Sequence, residues 1–130
     1  MDAAQAIADL TEISPQVRHV AVVSSDGSLG GSNLPDDGAA QRLVDGARRL
    51  LETAEALRPG VAQLEAATQA GSVFVVRDGE RLIAATTTPE PTVGLVFYDL
   101  KTCLRSIDEA PAKPKRRTAK KEEDATDAAS

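Results

Sequence analysis

Residues with the chemistry for catalysis or metal binding are few and widely separated in this sequence. His19 and Cys103 are the only histidine and the only cysteine in 130 residues. They therefore provide neither an intrachain disulfide nor a zinc-ligand set. His19 has no obvious nucleophile partner, which favours a half-buried structural histidine. Cys103 lies on the apolar stripe of a predicted helix, which favours an inert buried thiol.

Two further patterns resemble phosphate or metal sites but lack the parts that define them. The glycine-rich run 27–31 has no Gly-Lys-Ser/Thr ending, and it follows Asp26, whose charge would repel a phosphate. The acidic pair Asp36-Asp37 falls at a helix start and Glu122-Glu123 in a charged terminal segment, with no third ligand evident nearby. The sequence therefore predicts a protein with no catalytic residue, no metal and no cofactor of its own.

Composition and charge exclude several other classes of protein. Aromatic residues make up only 2% of the chain, whereas surfaces that stack single-stranded nucleic acid need several exposed rings. The net charge of -5 also disfavours DNA binding by the folded part. No run of 18 apolar residues occurs, and the first residues are acidic, without the basic start of a signal peptide. We therefore expect a cytoplasmic protein with no membrane span, whose folded domain does not bind nucleic acid.

Charge is distributed unevenly along the chain. Residues 111–130 contain six basic residues followed by four acidic ones and no large hydrophobic side chain, so this segment carries +2 and the rest of the chain -7. Such a segment cannot bury enough apolar surface to offset the loss of chain entropy. We therefore predict a folded domain over residues 1–110 and a disordered, basic-then-acidic tail over 111–130. The tail is either a solubilising extension or a segment that binds an acidic partner.

Hydrophobic periodicity predicts the element order α-β-β-α-β-β-β-α and an α/β (α+β) fold. Two Asp-Gly pairs, Asp26-Gly27 and Asp78-Gly79, are typical of tight hairpin turns, and glycines in the second strand indicate a bulge or a close backbone approach. The predicted helices are 3–13, 36–57 and 92–109, and the predicted strands are 17–24, 29–33, 61–69, 72–77 and 81–88.

The central helix has more apolar surface than one packing face requires. About four of its seven heptad positions are apolar or small, whereas a single sheet-facing stripe needs about three in seven. We therefore expect it to contact both its own sheet and a second chain; the alternative is a helix sunk deeply in its own core. The residues expected at the interface with that second chain are Ala40, Leu43, Ala47, Leu50 and Ala54.

Four arginines are candidates for binding a partner protein. Arg42, Arg48 and Arg49 lie on the polar side of the central helix, and Arg58 begins the Pro-Gly loop after it. A loop arginine can stabilise a phosphoryl group during transfer in a partner GTPase. Ordinary surface charge is the alternative interpretation.

The order of all these elements resembles the Roadblock family, the dynein light-chain-seven type. The resemblance covers residues 3–109 and is carried by 20–27 in the first hairpin, 72–76 and 82–85 in the paired strands, and 92–96 at the start of the last helix. It implies a five-stranded antiparallel sheet between helices. It also implies a homodimer formed through the central helix and the third strand, which adds Leu64 and Ala66 to the expected interface.

The resemblance further implies a function through binding alone. Bacterial members are similar to regulators or scaffolds of Ras-like small GTPases, which they bind and whose switch loops they reposition. We therefore expect a homodimeric adaptor that modulates the GTP hydrolysis or the location of such a GTPase. The alternatives are a small-molecule-sensing α/β domain and a general dimerisation scaffold. An aliphatic interior offers few convergent polar groups for a small ligand, so the sensing alternative ranks lower.

Overall fold

The five strands form one antiparallel sheet with helices on both faces, in a computed structural model that describes residues 1–108. The eight elements follow the predicted order, and the strands are arranged β2-β1-β5-β4-β3 across the sheet. The elements are α1 (Ala3–Ile13), β1 (Val17–Val23), β2 (Leu29–Ser32), α2 (Asp37–Leu57), β3 (Gln63–Thr68), β4 (Gly71–Asp78), β5 (Arg81–Thr87) and α3 (Val93–Ser106). The predicted tail, 111–130, lies outside the described residues.

Alternation of side chains along the strands builds a separate apolar core on each face of the sheet. One core lies beneath α1 and α3 and contains Val20, Val22, Phe74, Ile83 and Ala85. The other lies beneath α2 and contains Ala21, Val23, Val75, Leu82 and Ala84. Within the described residues no helix is both long and apolar enough to cross a lipid bilayer.

The local signals in the sequence act as predicted at the turns and at the start of α2. Gly27 and Gly79 have φ angles of 89° and 63°, which suit a residue without a Cβ in the two hairpin turns. The carboxylate of Asp36 accepts a hydrogen bond of 2.7 Å from the amide of Ala39 and so caps α2. The register shifts between Val22 and Val23 opposite the glycine-rich β2, which confirms the predicted irregularity there.

Three local expectations differ from the structure. The last helix ends at Ser106 rather than near Glu109, because Ile107 is extended and the amide of Asp108 donates to the carbonyl of Met1 instead of continuing the helix. The same helix begins at Val93 rather than at Thr92, which holds the N-cap position without a side-chain cap bond and whose amide donates to the side chain of Gln16. His19 is exposed rather than half-buried.

The turn between β3 and β4 sets the position of the edge strand β3. Gly71 has a φ angle of 142°, and a Cβ atom at this position would lie 1.9 Å from the carbonyl oxygen of Thr87 on β5. The Thr68 hydroxyl also donates to the carbonyl of Gly71 and closes the turn. Only glycine fits this close approach of backbone to backbone.

Replacing Gly71 with alanine should therefore destabilise the domain by about 2 kcal/mol or more, because a backbone clash adds to the strain of a positive φ angle. Gly79→Ala is the matched control, since Gly79 also has a positive φ angle but a Cβ added there would have no atom within 4 Å. That change should cost only about 1 kcal/mol. Urea denaturation of the two variants measures the difference; equal losses would contradict this account of Gly71.

Candidate partner-binding surface

The inner side of α2 is used entirely by the chain's own core. Ala40, Val44, Ala47 and Leu51 are between 0% and 5% exposed and pack against the sheet. This corrects the expectation for Ala40 and Ala47, which lie in the core of their own chain and present no surface to a second copy. For the other interface positions the expectation stays a prediction.

A second stripe of small and leucine side chains runs along α2 beside the buried one. We call it the outer stripe; it consists of Ala39, Leu43, Gly46, Leu50, Thr53 and Leu57. These residues follow one another at intervals of four and three, which places them on one face of a helix. Leu57 is 82% exposed, Leu43 and Leu50 are half-buried, and no atom lies within 4 Å of a Cβ built on Gly46. A second helix could therefore approach the outer stripe closely at its middle.

The outer stripe lies on the side of the sheet that has too little helical cover. Strands lie about 4.8 Å apart, so five span about 20 Å, whereas one helix with its side chains is about 10 Å across. Two helices cover one face of this sheet, and α2 alone covers the other. Leu64 and Ala66 on β3 pair with Val75 and Val73 on β4, so they share the face beneath α2, and both stay half-exposed.

A glutamate near the end of α2 fastens the helix to the start of β3. The carboxylate of Glu55 accepts hydrogen bonds from the amides of Gly60 and Val61, at 2.8 and 3.1 Å, and from Arg77 of β4 at 3.1 Å. The same guanidinium donates to the carbonyl of Val61. The Gly60 amide first, and then Arg77, lowers the pKa of the Glu55 carboxyl below its ordinary value. We call this set of contacts the Glu55 clamp; the sequence analysis did not find it.

An open cleft of about 760 Å³ lies between the C-terminal half of α2 and the two hairpin turns. Several residues of its walls are charged. Arg48 donates to the carbonyl of Gly27 at 3.0 Å, and Glu55 and Arg77 form the ion pair of the Glu55 clamp. In the described residues, the one buried side-chain polar atom without a hydrogen-bond partner is the Ser14 hydroxyl, which is not in this cleft. The cleft is open, and Arg48, Glu55 and Arg77 on its walls already bind groups of the same chain.

No protein-family profile and no curated protein matches this sequence, but solved structures do match the fold. A Roadblock/LC7 domain from Streptomyces avermitilis superposes with a TM-score of 0.67 at 18% identity, covering 82% of this chain and 94% of that one. The chain has the Roadblock/LC7 fold. The gliding protein MglB from Thermus thermophilus (TM-score 0.60) and a structure described as MglB with tetrameric arrangement (TM-score 0.61) each share 14% identity and cover 81% of this chain and 84% of their own.

On this Roadblock fold the four candidate arginines do not form one group. Arg42 and Arg49 are exposed, two turns apart on the same face of α2 and next to the outer stripe. Arg58 is exposed at the C-cap of α2. Arg48 is half-buried on a different side of the helix, where it holds the β1–β2 hairpin. The arginines near the outer stripe are therefore Arg42 and Arg49.

His19 is exposed on β1, whereas Cys103 belongs to α3. Cys103 lies on the buried face of α3, where burial and, to a lesser extent, the charge of Asp9 raise the pKa of its thiol to about 11. Residues 1–108 contain no cluster of three or more His, Cys, Asp or Glu side chains that could hold a metal ion.

The Glu55 clamp predicts a pH-dependent contribution to stability. Its lowered pKa means that the carboxylate stabilises the folded chain at neutral pH, and that this stabilisation is lost as the pH falls through the folded-state pKa of Glu55. Glu55→Gln should lower the midpoint of urea denaturation at pH 7, and the difference from the unaltered protein should shrink towards pH 3. Glu52→Gln, the same charge change one turn earlier, is the control; an equal effect from both variants would contradict the clamp.

Proposed function

We propose that this protein is a homodimeric adaptor that binds a Ras-like small GTPase and modulates its GTP hydrolysis or its location, supplying no catalytic residue of its own. The observation that carries the proposal is the uncovered part of the α2 face, where the outer stripe and β3 present apolar surface side by side. The Roadblock fold supports the choice of partner.

A second copy of the chain fits this surface in two ways at once. β3 is an edge strand, and its six residues, Gln63–Thr68, include neither the lysine nor the proline that commonly protects an exposed edge. Two such edges related by a two-fold axis can pair as antiparallel strands and extend the sheet. The two α2 helices then lie over the joined sheets, and Gly46 allows their backbones to approach closely.

The interface in this proposal consists of the accessible positions only. They are Leu43, Leu50 and Ala54 on α2 together with Leu64 and Ala66 on the β3 side of the sheet, all of which are half-exposed in the single chain. A charge at Ala47 would test the core instead, because Ala47 is 1% exposed. Leu50 is therefore the better position at which to disrupt a dimer.

Leu50→Glu should convert a dimer into a folded monomer, because association would bury the new carboxylate without a partner. Size-exclusion chromatography with light scattering measures the mass, and circular dichroism verifies that the variant is folded. Gln41→Glu is the matched control, since it adds the same charge to an exposed position of α2 away from the outer stripe; this variant should remain dimeric.

Two results would contradict the proposed dimer. The first is an unaltered protein that is monomeric at a concentration of about 100 μM, since stable homodimers of this kind bind far more tightly. The second is a Leu50→Glu variant with the same mass as the unaltered protein, which would move any dimer interface elsewhere on the molecule.

The fold and the arginine pair support a GTPase as the further partner. Structures of MglB are among those that match the fold, and the family resemblance implies regulation of small GTPases. Arg42 and Arg49 lie beside the outer stripe on the exposed side of α2, so dimerisation through that stripe leaves both at the margin of the joined helices. Arginine is well suited to such a position, because it is enriched among the residues that dominate binding energy.

Charge reversal at both arginines, Arg42→Glu with Arg49→Glu, should weaken GTPase binding on the order of tenfold or more. The assay immobilises the protein and measures capture of purified Ras-like GTPases from its own organism, loaded with GDP or a non-hydrolysable GTP analogue, followed by GTP turnover. Arg105→Glu is the control, because Arg105 is exposed on α3 across the sheet.

The capture assay also separates the proposal from its main alternative. If none of the GTPases is retained in either nucleotide state while the dimer is intact, the GTPase part of the proposal fails and a general dimerisation scaffold remains. If capture persists unchanged in the double arginine variant, a GTPase does bind but docks on another face.

A further inference from the structure

The chain leaves the folded domain beside the open cleft between α2 and the two hairpin turns. The carbonyl of Ile107 accepts a hydrogen bond of 3.0 Å from the guanidinium of Arg81, and Arg81 also lines the cleft. We propose that residues 113–121, which we call the basic run of the tail, dock in this cleft of their own chain. The inference depends neither on the dimer nor on the GTPase, because neither the outer stripe nor the pair Arg42 and Arg49 takes part in it.

The sequence of the tail places its positive charge next to the domain. Residues 109–121 contain six basic residues and one acidic residue, Glu109, whereas residues 122–127 contain four acidic residues and no basic one. Lys113 and Lys121 come five and thirteen residues after Asp108, so an extended chain can carry them up to about 17 and 43 Å from it. The ten residues of α2 at 48–57, which border the cleft, are about 15 Å long. The basic run can therefore reach along the whole cleft.

The cleft carries charges of both signs. Its lining contains four carboxylates and three guanidiniums, so it has a net charge of -1. Two exposed residues of opposite sign, Arg58 and Asp78, flank the lining in the sequence and offset each other. The charged residues of the lining are Asp26, Glu52, Glu55, Glu80, Arg48, Arg77 and Arg81.

The arginines of the lining are already bonded within the chain, whereas two of the carboxylates are not. Arg48 and Arg81 each donate to a backbone carbonyl, and Arg77 forms the ion pair of the Glu55 clamp. By contrast, the exposed carboxylates of Glu52 and Glu80 have no hydrogen bond or ion pair within residues 1–108. What the cleft leaves available for a new ion pair is therefore negative charge.

The cleft also suits a segment without large hydrophobic side chains. Val23, Leu51 and Leu82 line it but are only 2–6% exposed, so it offers little apolar surface. The tail has no hydrophobic side chain larger than alanine or proline. Lysine and arginine can lay their methylene groups on a small apolar area while their charged ends stay in water.

Attachment to the same chain favours the tail over a separate basic peptide. Single ion pairs at exposed positions are weak, so a free peptide would bind this cleft poorly. A segment tethered a few residues away is present at an effective concentration that is roughly millimolar, and several weak pairs then act together. Docking in this way withholds the basic run from acidic molecules outside the chain.

A nitroxide label on Ala119→Cys in the full-length, nitrogen-15-enriched protein tests the proposal by nuclear magnetic resonance. The label reacts with the new thiol, because burial raises the pKa of Cys103 to about 11. The amide signals of Gly27, Glu52 and Gly79 should be broadened more than that of Arg105, which lies on α3 across the sheet. This difference should fall about threefold or more as salt rises from about 50 to 500 mM.

Glu52→Lys/Glu80→Lys should reduce the broadening at Gly27 and Gly79 about threefold or more, because it reverses the two available charges. Glu12→Lys/Glu90→Lys is the matched control, since it makes the same charge change at two exposed positions away from the cleft, and it should leave the broadening unchanged. Circular dichroism verifies that both double variants are folded.

Three results would overturn the proposal. Equal broadening of the cleft amides and of Arg105 would show a tail that samples both sides of the sheet. Unchanged broadening in Glu52→Lys/Glu80→Lys would remove the charge basis of docking. In a mixture of labelled, unenriched protein with enriched protein that lacks the label, broadening of the cleft amides would make the tail of another copy the occupant.

Discussion

On one face of the sheet there is a single helix, α2, and the sheet is about twice as wide as this helix. Most of the structure depends on this difference in width. A helix can fill the part of the sheet that it touches with one stripe of side chains, and in α2 that stripe is Ala40, Val44, Ala47 and Leu51. The small residues keep the helix close to the sheet. The remaining width includes β3, whose apolar side chains on the α2 side stay half-exposed. In a single chain part of this face is therefore not covered by a helix, while α1 and α3 together cover the opposite face.

The molecule exposes two surfaces of different chemistry on opposite faces of one sheet. The α2 side combines small and leucine side chains with exposed arginines, and the α1–α3 side combines aliphatic and tyrosine side chains with charges of both signs. Because the sheet lies between them, neither surface covers the other.

The order of the helices and strands could be predicted from the sequence. Which side of α2 packs on the sheet could be predicted only in part. Turn signals such as Asp26-Gly27 act through local backbone geometry, so the turns can be predicted from sequence without knowledge of the tertiary structure. The positions 40, 47 and 54 and the positions 43, 50 and 57 are both spaced by sevens, so periodicity cannot tell which set meets the sheet. The Glu55 clamp was beyond prediction because Arg77 lies 22 residues away. The end of α3 was misjudged for a similar reason, since the carbonyl that competes for the amide of Asp108 belongs to residue 1.

The Glu55 clamp also bears on how fast the proposed dimer could form and separate. It ties Gly60 and Val61, in the middle of the loop between α2 and β3, to the end of the helix, which restricts how the helix and the edge strand move relative to each other. A surface that is already ordered loses little conformational entropy when it associates. Encounter between two copies then needs no slow rearrangement, and the lifetime of the pair is governed by its dissociation rate. In this way the Glu55 clamp would contribute to the kinetics of the proposed assembly.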